Sequence, residues 1–453
     1  MLSKYQHFHF HGRDYIYNGF TGALAEVDKL ALDIVNSELR DMQTVIMRFS
    51  QKYSKKDITA TFHNLAKTGF FRQKRYYPTV NWEEKIAPKE YGLILTEDCN
   101  LRCKYCYEGL DKPKIYMTRE KAKEVVDYII KTTIHAQIGI IFFGGEPLLN
   151  LPVLKYIIEY ADQESAKYGK KIFYGMTTNG VLLTKEIYEY LRKNNVIITL
   201  SIDGVAENHD SMRVFPDGKG SYEVIRKNIK TFPLHGVIGR GSTGKTGLDL
   251  IKNIQHLAEL GFKEIFFDPA SGNQVPLSES DYRRLMDNCE GLYDFCLDNI
   301  VNKKGKRIVF LERFIRNIHN GWRNNLLSCG AGNRMLAIDP SGDIYFCMRF
   351  IERKEFLFGN IAQGLDIKKI SGFLKKIAVK NRGKGACRRC WAEILCTGEC
   401  VGNALDESGD VRAVVPMRCL YKKKLIETAI RIYTRLNDEE RDRLEDLLSY
   451  QTC

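Results

Sequence analysis

The sequence predicts an α/β protein on a mainly parallel sheet, either open and doubly wound or an incomplete barrel, with a small β-then-α module ahead of it and a cysteine-dense tail behind. Three observations lead there. Between Tyr91 and about Ser271, six short apolar runs alternate with helix-like segments, the pattern of right-handed βα units. Before them, period-two stretches give way to helical ones. From Ser328 onward the chain turns short-patterned and irregular and holds eight of its thirteen cysteines.

A chain of 453 residues exceeds one ordinary domain and suggests roughly two to four. With 44% hydrophobic and 28% charged residues it has a globular composition. The opening MLSKYQHFHFHG has no apolar export core, and no stretch is long and apolar enough to cross a bilayer. The expectation is a cytoplasmic protein with no membrane partner. Disulfide scaffolds are short and secreted, so thirteen cysteines here point first to metal. The net charge of +13 is spread along the chain, and selects only weakly among acidic peptides, anionic surfaces and nucleic acid.

Residues 5–27 read as short strands broken at Gly12, Asn18 and Gly19. Two helical patterns follow, Asp28 to Ser50 and Asp57 to Thr68, the second with Asp57 as its N-cap and Gly69 just past its end. The charged, proline-containing QKRYYPTVNWEEKIAPKE then reads as a linker. The six apolar runs are YGLILT, IGIIFF, KIFYGMT, VIITLSI, GVIGR and EIFFD. Helices are expected to start near Thr118, Leu151, Thr184, Tyr222 and Gly247. In such a sheet, ligands sit at the carboxyl ends of the strands. The boundaries that follow are 1–85, 86–275, a basic helical bridge at 276–327, and 328–453 with a final amphipathic helix from about Tyr421.

Directly after YGLILT comes EDCNLRCKYCYE, with Cys99, Cys103 and Cys106 in one loop at a strand's carboxyl end. Three thiolates there can hold three irons of a cubane and leave the fourth open to a chelating cofactor. A zinc loop is the alternative, but zinc sites usually pair cysteines in two separate knuckles.

CNLRCKYC resembles the signature of the radical S-adenosylmethionine superfamily, whose cluster reduces the sulfonium of its cofactor to a 5′-deoxyadenosyl radical that takes a hydrogen atom from substrate. The resemblance implies a partial (β/α)6 TIM barrel, S-adenosyl-L-methionine as cofactor, and a reductant protein such as a flavodoxin or ferredoxin. It puts Tyr105 near the cofactor. It assigns the FFGGEP segment, with Gly144, Gly145 and Glu146, to the methionine amine. From TLSIDG and HDSMR it assigns Ser201 and Arg213 to the ribose or carboxylate, with Asp203 beside them. One competing motif is GRGSTGKT, Gly239 to Thr246, which fits a phosphate loop. Its place is that of the fifth strand and its turn, so strand and turn is the preferred reading.

The tail reads Cys329-x17-Cys347, with Gly342 between, then Cys387-x2-Cys390-x5-Cys396-x3-Cys400 and Cys419. This resembles the SPASM extension of radical enzymes that modify peptides and proteins, with zinc knuckles as the alternative. The resemblance implies two auxiliary 4Fe-4S clusters, making three in all: one on Cys387, Cys390, Cys396 and Cys419, and a nearer one on Cys329, Cys347 and Cys400. Fully ligated members have a further cysteine just before the first of these, where this chain has HNGWRNNLLS. The nearer cluster is thus expected to have an open iron suited to a substrate thiolate, unless Cys289 or Cys296 folds back; their seven-residue spacing reads better as two core positions. Met348 stands where sulfatase-maturing members have an aspartate base, and CWAEILC looks more like the thioether-forming maturases.

Residues 1–85 resemble the winged-helix-like element that binds leader peptides of ribosomally made natural products, which can add the leader as an edge strand; a structural cap is the plainer reading. The expected function is formation of thioether crosslinks, sactipeptide or ranthipeptide in type, in a precursor peptide carrying a leader. The sequence names no catalytic base. Carbon-carbon crosslinking and formylglycine formation are the enzymatic alternatives, and a zinc-containing, nucleic-acid-binding regulator the alternative from another class.

Overall fold

The computed structural model describes residues 5–72, 80–109, 114–271, 275–320, 327, 329–378, 385–396 and 398–447. At its amino end β1 (Tyr5–Phe10), β2 (Arg13–Asn18) and β3 (Leu24–Val27) form an antiparallel sheet in sequence order. Alternation splits this sheet between two cores. Phe8, Tyr15 and Tyr17 enter the main core, while Ile16 joins Leu30, Ile34, Ile58 and Phe62 beneath the helices α1 (Lys29–Asn36), α2 (Met42–Phe49) and α3 (Lys55–Lys67). Two local expectations are corrected here. The pattern from Asp28 to Ser50 is two helices, because Glu38 takes a φ of 56° and Asp41 caps the second through Thr44 N–H. The cap of α3 is Ser54, which accepts from Asp57 N–H, so Asp57 lies inside the first turn, where its charge suits the helix dipole. Of the linker, residues 73–79 lie outside the described residues, and Trp82 is buried in a core under the tail.

The alternating region follows its pattern closely. The strands are β4 (Glu90–Ile94), β5 (Gln137–Phe143), β6 (Lys171–Thr178), β7 (Ile197–Ser201), β8 (Val237–Thr243) and β9 (Glu264–Pro269). Between them run α4 (Arg119–Thr132), α5 (Leu151–Lys167), α6 (Lys185–Lys193), α7 (Ala206–Met212), α8 (Tyr222–Ile229) and α9 (Leu250–Leu260). Thr118 and Thr184 cap α4 and α6 by accepting the N–H groups of Lys121 and Ile187. All six strands pair in parallel in sequence order, a partial barrel with its helices outside. β8 runs through Thr243, so the first five residues of GRGSTGKT are strand and do not form a phosphate cradle.

The bridge holds α10 (Glu279–Asp287), α11 (Cys289–Val301), a two-residue strand β10 (Arg307–Ile308) parallel to β9, and α12 (Val309–His319). The tail departs from its irregular sequence pattern. β11 (Met335–Ile338) joins β4 in parallel, and β12 (Asp343–Tyr345), β13 (Leu357–Asn360) and β14 (Gly364–Leu365) continue antiparallel, giving one sheet of eleven strands. The tail thus covers the open edge of β4. Its helices are α13 (Ile367–Ile377), α14 (Glu393–Cys396), α15 (Val401–Ser408), α16 (Pro416–Arg435) and α17 (Asp438–Leu447). The last long helix starts at Pro416, not near Tyr421, with proline in its first turn, where a missing N–H costs nothing. Trp391 ties the two ends of the chain together: Phe8 and Tyr17 meet its ring edge-on at 5.6 and 6.0 Å. Among the described residues no helix is long and apolar enough to cross a membrane.

Candidate active site

The carboxyl ends of β4 to β8 converge on the cysteine loop. After β4, Thr96 turns the chain by donating to Ile115 O and accepting Asp98 N–H at 3.0 Å. Arg102 N–H and Lys104 N–H then donate to Val214 O and Met212 O, 2.7 and 2.9 Å, which pins the loop to the segment bearing Arg213. Cys99 lies close enough to Cys103 and Cys106 for each thiolate to oppose ionisation of the others. Burial pushes Cys99 up to about 12 and raises Cys103 as well, where the Arg213 guanidinium offsets part of the effect. Thiols so desolvated are poor thiolates alone and good ones on a metal, which deprotonates them. Three thiols brought together in one loop fit an iron-sulfur cluster, which gives each thiolate its own iron.

The Gly-Gly-Glu turn after β5 packs against this loop. A Cβ on Gly144 would lie 2.3 Å from Thr96 O, and one on Gly145 2.2 Å from Asp98 O. Glycine there lets Gly145 and Glu146 N–H donate to those carbonyls at 2.9 Å. Glu146 is fully buried and accepts from Thr178 Oγ1, Asn179 N–H and Leu148 N–H at 2.8, 2.7 and 3.1 Å. Burial raises its carboxyl to about 7, against the pull of those donors.

A second network joins the loop to β7. Tyr105 donates to Asp203 Oδ2 at 2.5 Å, Arg213 Nε lies 3.1 Å from the same oxygen, and Ser242 N–H reaches Oδ1 at 2.9 Å. The Arg213 guanidinium stands 5.2 Å over the Tyr105 ring. Asp203 N–H donates to Nδ1 of buried His209, whose burial lowers it to about 4. Tyr105, Asp203 and Arg213 are thus one cluster beside Cys103, while Ser201 is half-buried at the end of β7, opposite Arg240.

Sequence reasoning missed Thr178 and Asn179 at the carboxyl end of β6. Asn179 donates to Asn100 Oδ1 at 2.7 Å and lies 3.8 Å from Cys99 Sγ, linking Glu146 to the cysteine loop. The signal was available, since β6 was the one early strand whose carboxyl end received no residue. Also missed was Tyr107, enclosed beside Cys106 and Cys347 with the Arg349 guanidinium 5.1 Å from its ring.

In the tail, Cys347, half-buried, groups with Cys400 and Cys329, and desolvation raises its thiol. Cys390, Cys396 and Cys419 form a second group, with Lys423 beside it. Cys387 precedes Cys390 in a tight turn, Cys390 N–H donating to its carbonyl. Cys289 and Cys296 belong to neither group: they are buried in the main core on α11, Cys289 near Thr428 and Tyr421 of α16 and Cys296 near Glu312. Most of HNGWRNNLLS lies outside the described residues. Met348 packs against β4, where a Cβ on Gly92 would come within 2.5 Å of its sulfur.

Residues 93–260 match the radical SAM superfamily and residues 329–391 the SPASM iron-sulfur cluster-binding domain. The chain thus carries a radical SAM catalytic domain followed by a SPASM domain, and these imply S-adenosylmethionine and 4Fe-4S clusters. Its relatives include the radical SAM cyclopropyl synthase TigE of Paramaledivibacter caminithermalis, 24% identical over 94% of this chain and 95% of that one. Another is the antilisterial bacteriocin subtilosin biosynthesis protein AlbA of Bacillus subtilis, 28% identical over 59% of this chain and 56% of that one. The structure of native anSMEcpe with bound AdoMet and Cp18Cys peptide has the same fold, with a TM-score of 0.65 at 20% identity over 80% of this chain and 99% of that one.

Proposed function

We propose that this enzyme forms thioether crosslinks between a cysteine sulfur and a carbon of another residue in a ribosomally made precursor peptide. A peptide substrate is in keeping with the bacteriocin relative and with the peptide-bound structure of like fold. Cys99, Cys103 and Cys106 would hold the first of three 4Fe-4S clusters; Cys329, Cys347 and Cys400 the near auxiliary one; Cys387, Cys390, Cys396 and Cys419 the far one. When loaded, this equipment supplies reductive cleavage of S-adenosylmethionine to a hydrogen-abstracting radical and a route out for electrons. The chain's own residues orient and enclose. The Gly-Gly-Glu turn, Tyr105, Ser201, Asp203 and Arg213 would cradle the cofactor, with Asp203 holding the Tyr105 hydroxyl and the Arg213 guanidinium in place. The module at 1–85 would take the leader along an edge of its three-stranded sheet, and a flavodoxin or ferredoxin would supply electrons.

The observation that carries the thioether reading is the thiol count at the near auxiliary site. Cys329, Cys347 and Cys400 group together, while both cysteines that could have folded back are packed into the core on α11. A soft ligand such as a substrate cysteine suits the remaining position. Met348, a thioether held against β4, offers no base where formylglycine chemistry would want one. A second reading, closure of a carbon-carbon bond, draws on the likeness to a cyclopropyl synthase along almost the whole of both chains.

Mass spectrometry of a neighbouring precursor co-expressed with the enzyme tests both. Loss of two hydrogens with the cysteine no longer alkylatable is the expected result. The same loss with the thiol still alkylatable favours carbon-carbon closure and sinks the thioether reading. An unchanged peptide, beside enzyme that releases 5′-deoxyadenosine, counts against both for that precursor.

A further inference from the structure

Arg349 lies where three parts of the molecule meet. It follows Cys347 by two residues, in the 3-10 turn Met348–Phe350. Its Nη2 donates to Asp406 Oδ2 at 2.6 Å and to the Ser271 hydroxyl just beyond β9. Its guanidinium stands over Tyr107, the residue after Cys106. Asp406 also accepts from Arg353 at 3.0 Å. Two guanidiniums thus share one carboxylate, and a net positive charge remains. Among the described residues, no group accepts a hydrogen bond from the buried Nε of Arg349.

The fold makes room for this side chain. A Cβ on Gly402 would sit 2.3 Å from Arg349 Cδ and 2.6 Å from Nε, so only glycine lets the arginine lie there. Gly402 is in the first turn of α15, whose N-cap is Cys400. The positive end of that helix and the Arg349 charge therefore act on the same thiol. Arg349 is felt at Cys347 as well. A lone structural ion pair would need neither the glycine nor the uncompensated charge.

We propose that Arg349 is the fixed counter-charge of the near auxiliary site, a positioning residue that favours the more negative, reduced state of an iron-sulfur centre held by Cys329, Cys347 and Cys400 and so raises its reduction potential. Fixed charge and hydrogen bonds near the sulfurs are what set such potentials. The inference is independent of whether the product is a thioether.

The test is a potentiometric titration of the reconstituted full-length enzyme followed by electron paramagnetic resonance. The near centre's signal is identified by its loss in Cys347→Ala. In Arg349→Gln the reduced-to-oxidised ratio of that signal at a given potential should fall at least tenfold, about 59 mV for a one-electron couple, with the other signals unmoved. Arg349→Lys should keep most of the ratio. If Arg349→Gln loses iron, Gly402→Ala is read instead: it keeps every charge, displaces the guanidinium, and should lower the ratio in the same direction. An unmoved near signal in the variant that loads fully, or an equal shift of all signals, overturns the proposal.

Discussion

Removing Asp203 alone should cost at least as much as removing its partner as well. Asp203 is 3% exposed and holds three groups: the Arg213 guanidinium, the Tyr105 hydroxyl and Ser242 N–H. Asp203→Ala leaves a buried guanidinium unpaired, a loss of about 3–5 kcal/mol, and strands the two other donors. Arg213→Met leaves a buried carboxylate that still accepts two hydrogen bonds, so about 3 kcal/mol is expected. The double variant leaves no bare charge, and its loss should be about 3–4 kcal/mol, far from the sum. In a domain of this size about 1 kcal/mol moves Tm by about 2–4 °C. Differential scanning fluorimetry of the iron-free protein should thus show the double variant melting no lower than Asp203→Ala, and well above the point that added single losses of about 6–8 kcal/mol would give. Losses that simply add would refute the reading of these residues as one coupled, buried cluster.

Three further outcomes are expected. Glu146 has a folded-state pKa raised to about 7, above the ordinary value of about 4.3, so its contribution to stability is present below the lower value and lost as pH rises through the higher. Glu146→Gln should remove about 3 kcal/mol of pH dependence from that window, seen as a flatter profile of urea midpoints in iron-free protein. Replacing Cys99, Cys103 and Cys106 by alanine should abolish release of 5′-deoxyadenosine and lower iron from about twelve to about eight per chain, as three cubanes become two; retained cofactor cleavage would defeat the assignment. Trp391→Ala removes the ring on which Phe8 and Tyr17 pack, a loss of about 3–5 kcal/mol of packing, and limited proteolysis should then cut the 1–85 module away from an intact barrel.

The alternating region was readable residue by residue because its information is local. Each strand is an apolar run, Thr118 and Thr184 announce their helices, and a strand's carboxyl end is where such a sheet presents its loops. Where local signals compete, neighbours decided. Ser54 outranked Asp57 as the cap of α3, and Glu38 broke a helix that periodicity alone would continue. The strands β11 to β14 were invisible because two to four residues carry no period, and β4, the partner that brings β11 into the sheet, lies more than two hundred residues away.

Taken alone, the sequence determined the alternating parallel-sheet region and the two cysteine-bearing regions, and its resemblance to a known superfamily implied the barrel and the kind of cofactor. Only the tertiary structure decided that Glu146 and Asn179 brace the loop of Cys99, and that Arg349 lies against Gly402 in the turn after Cys400. The reason is physical: burial and charge act through space, and side chains fifty or two hundred residues apart acquire an environment only once the sheet has closed around them.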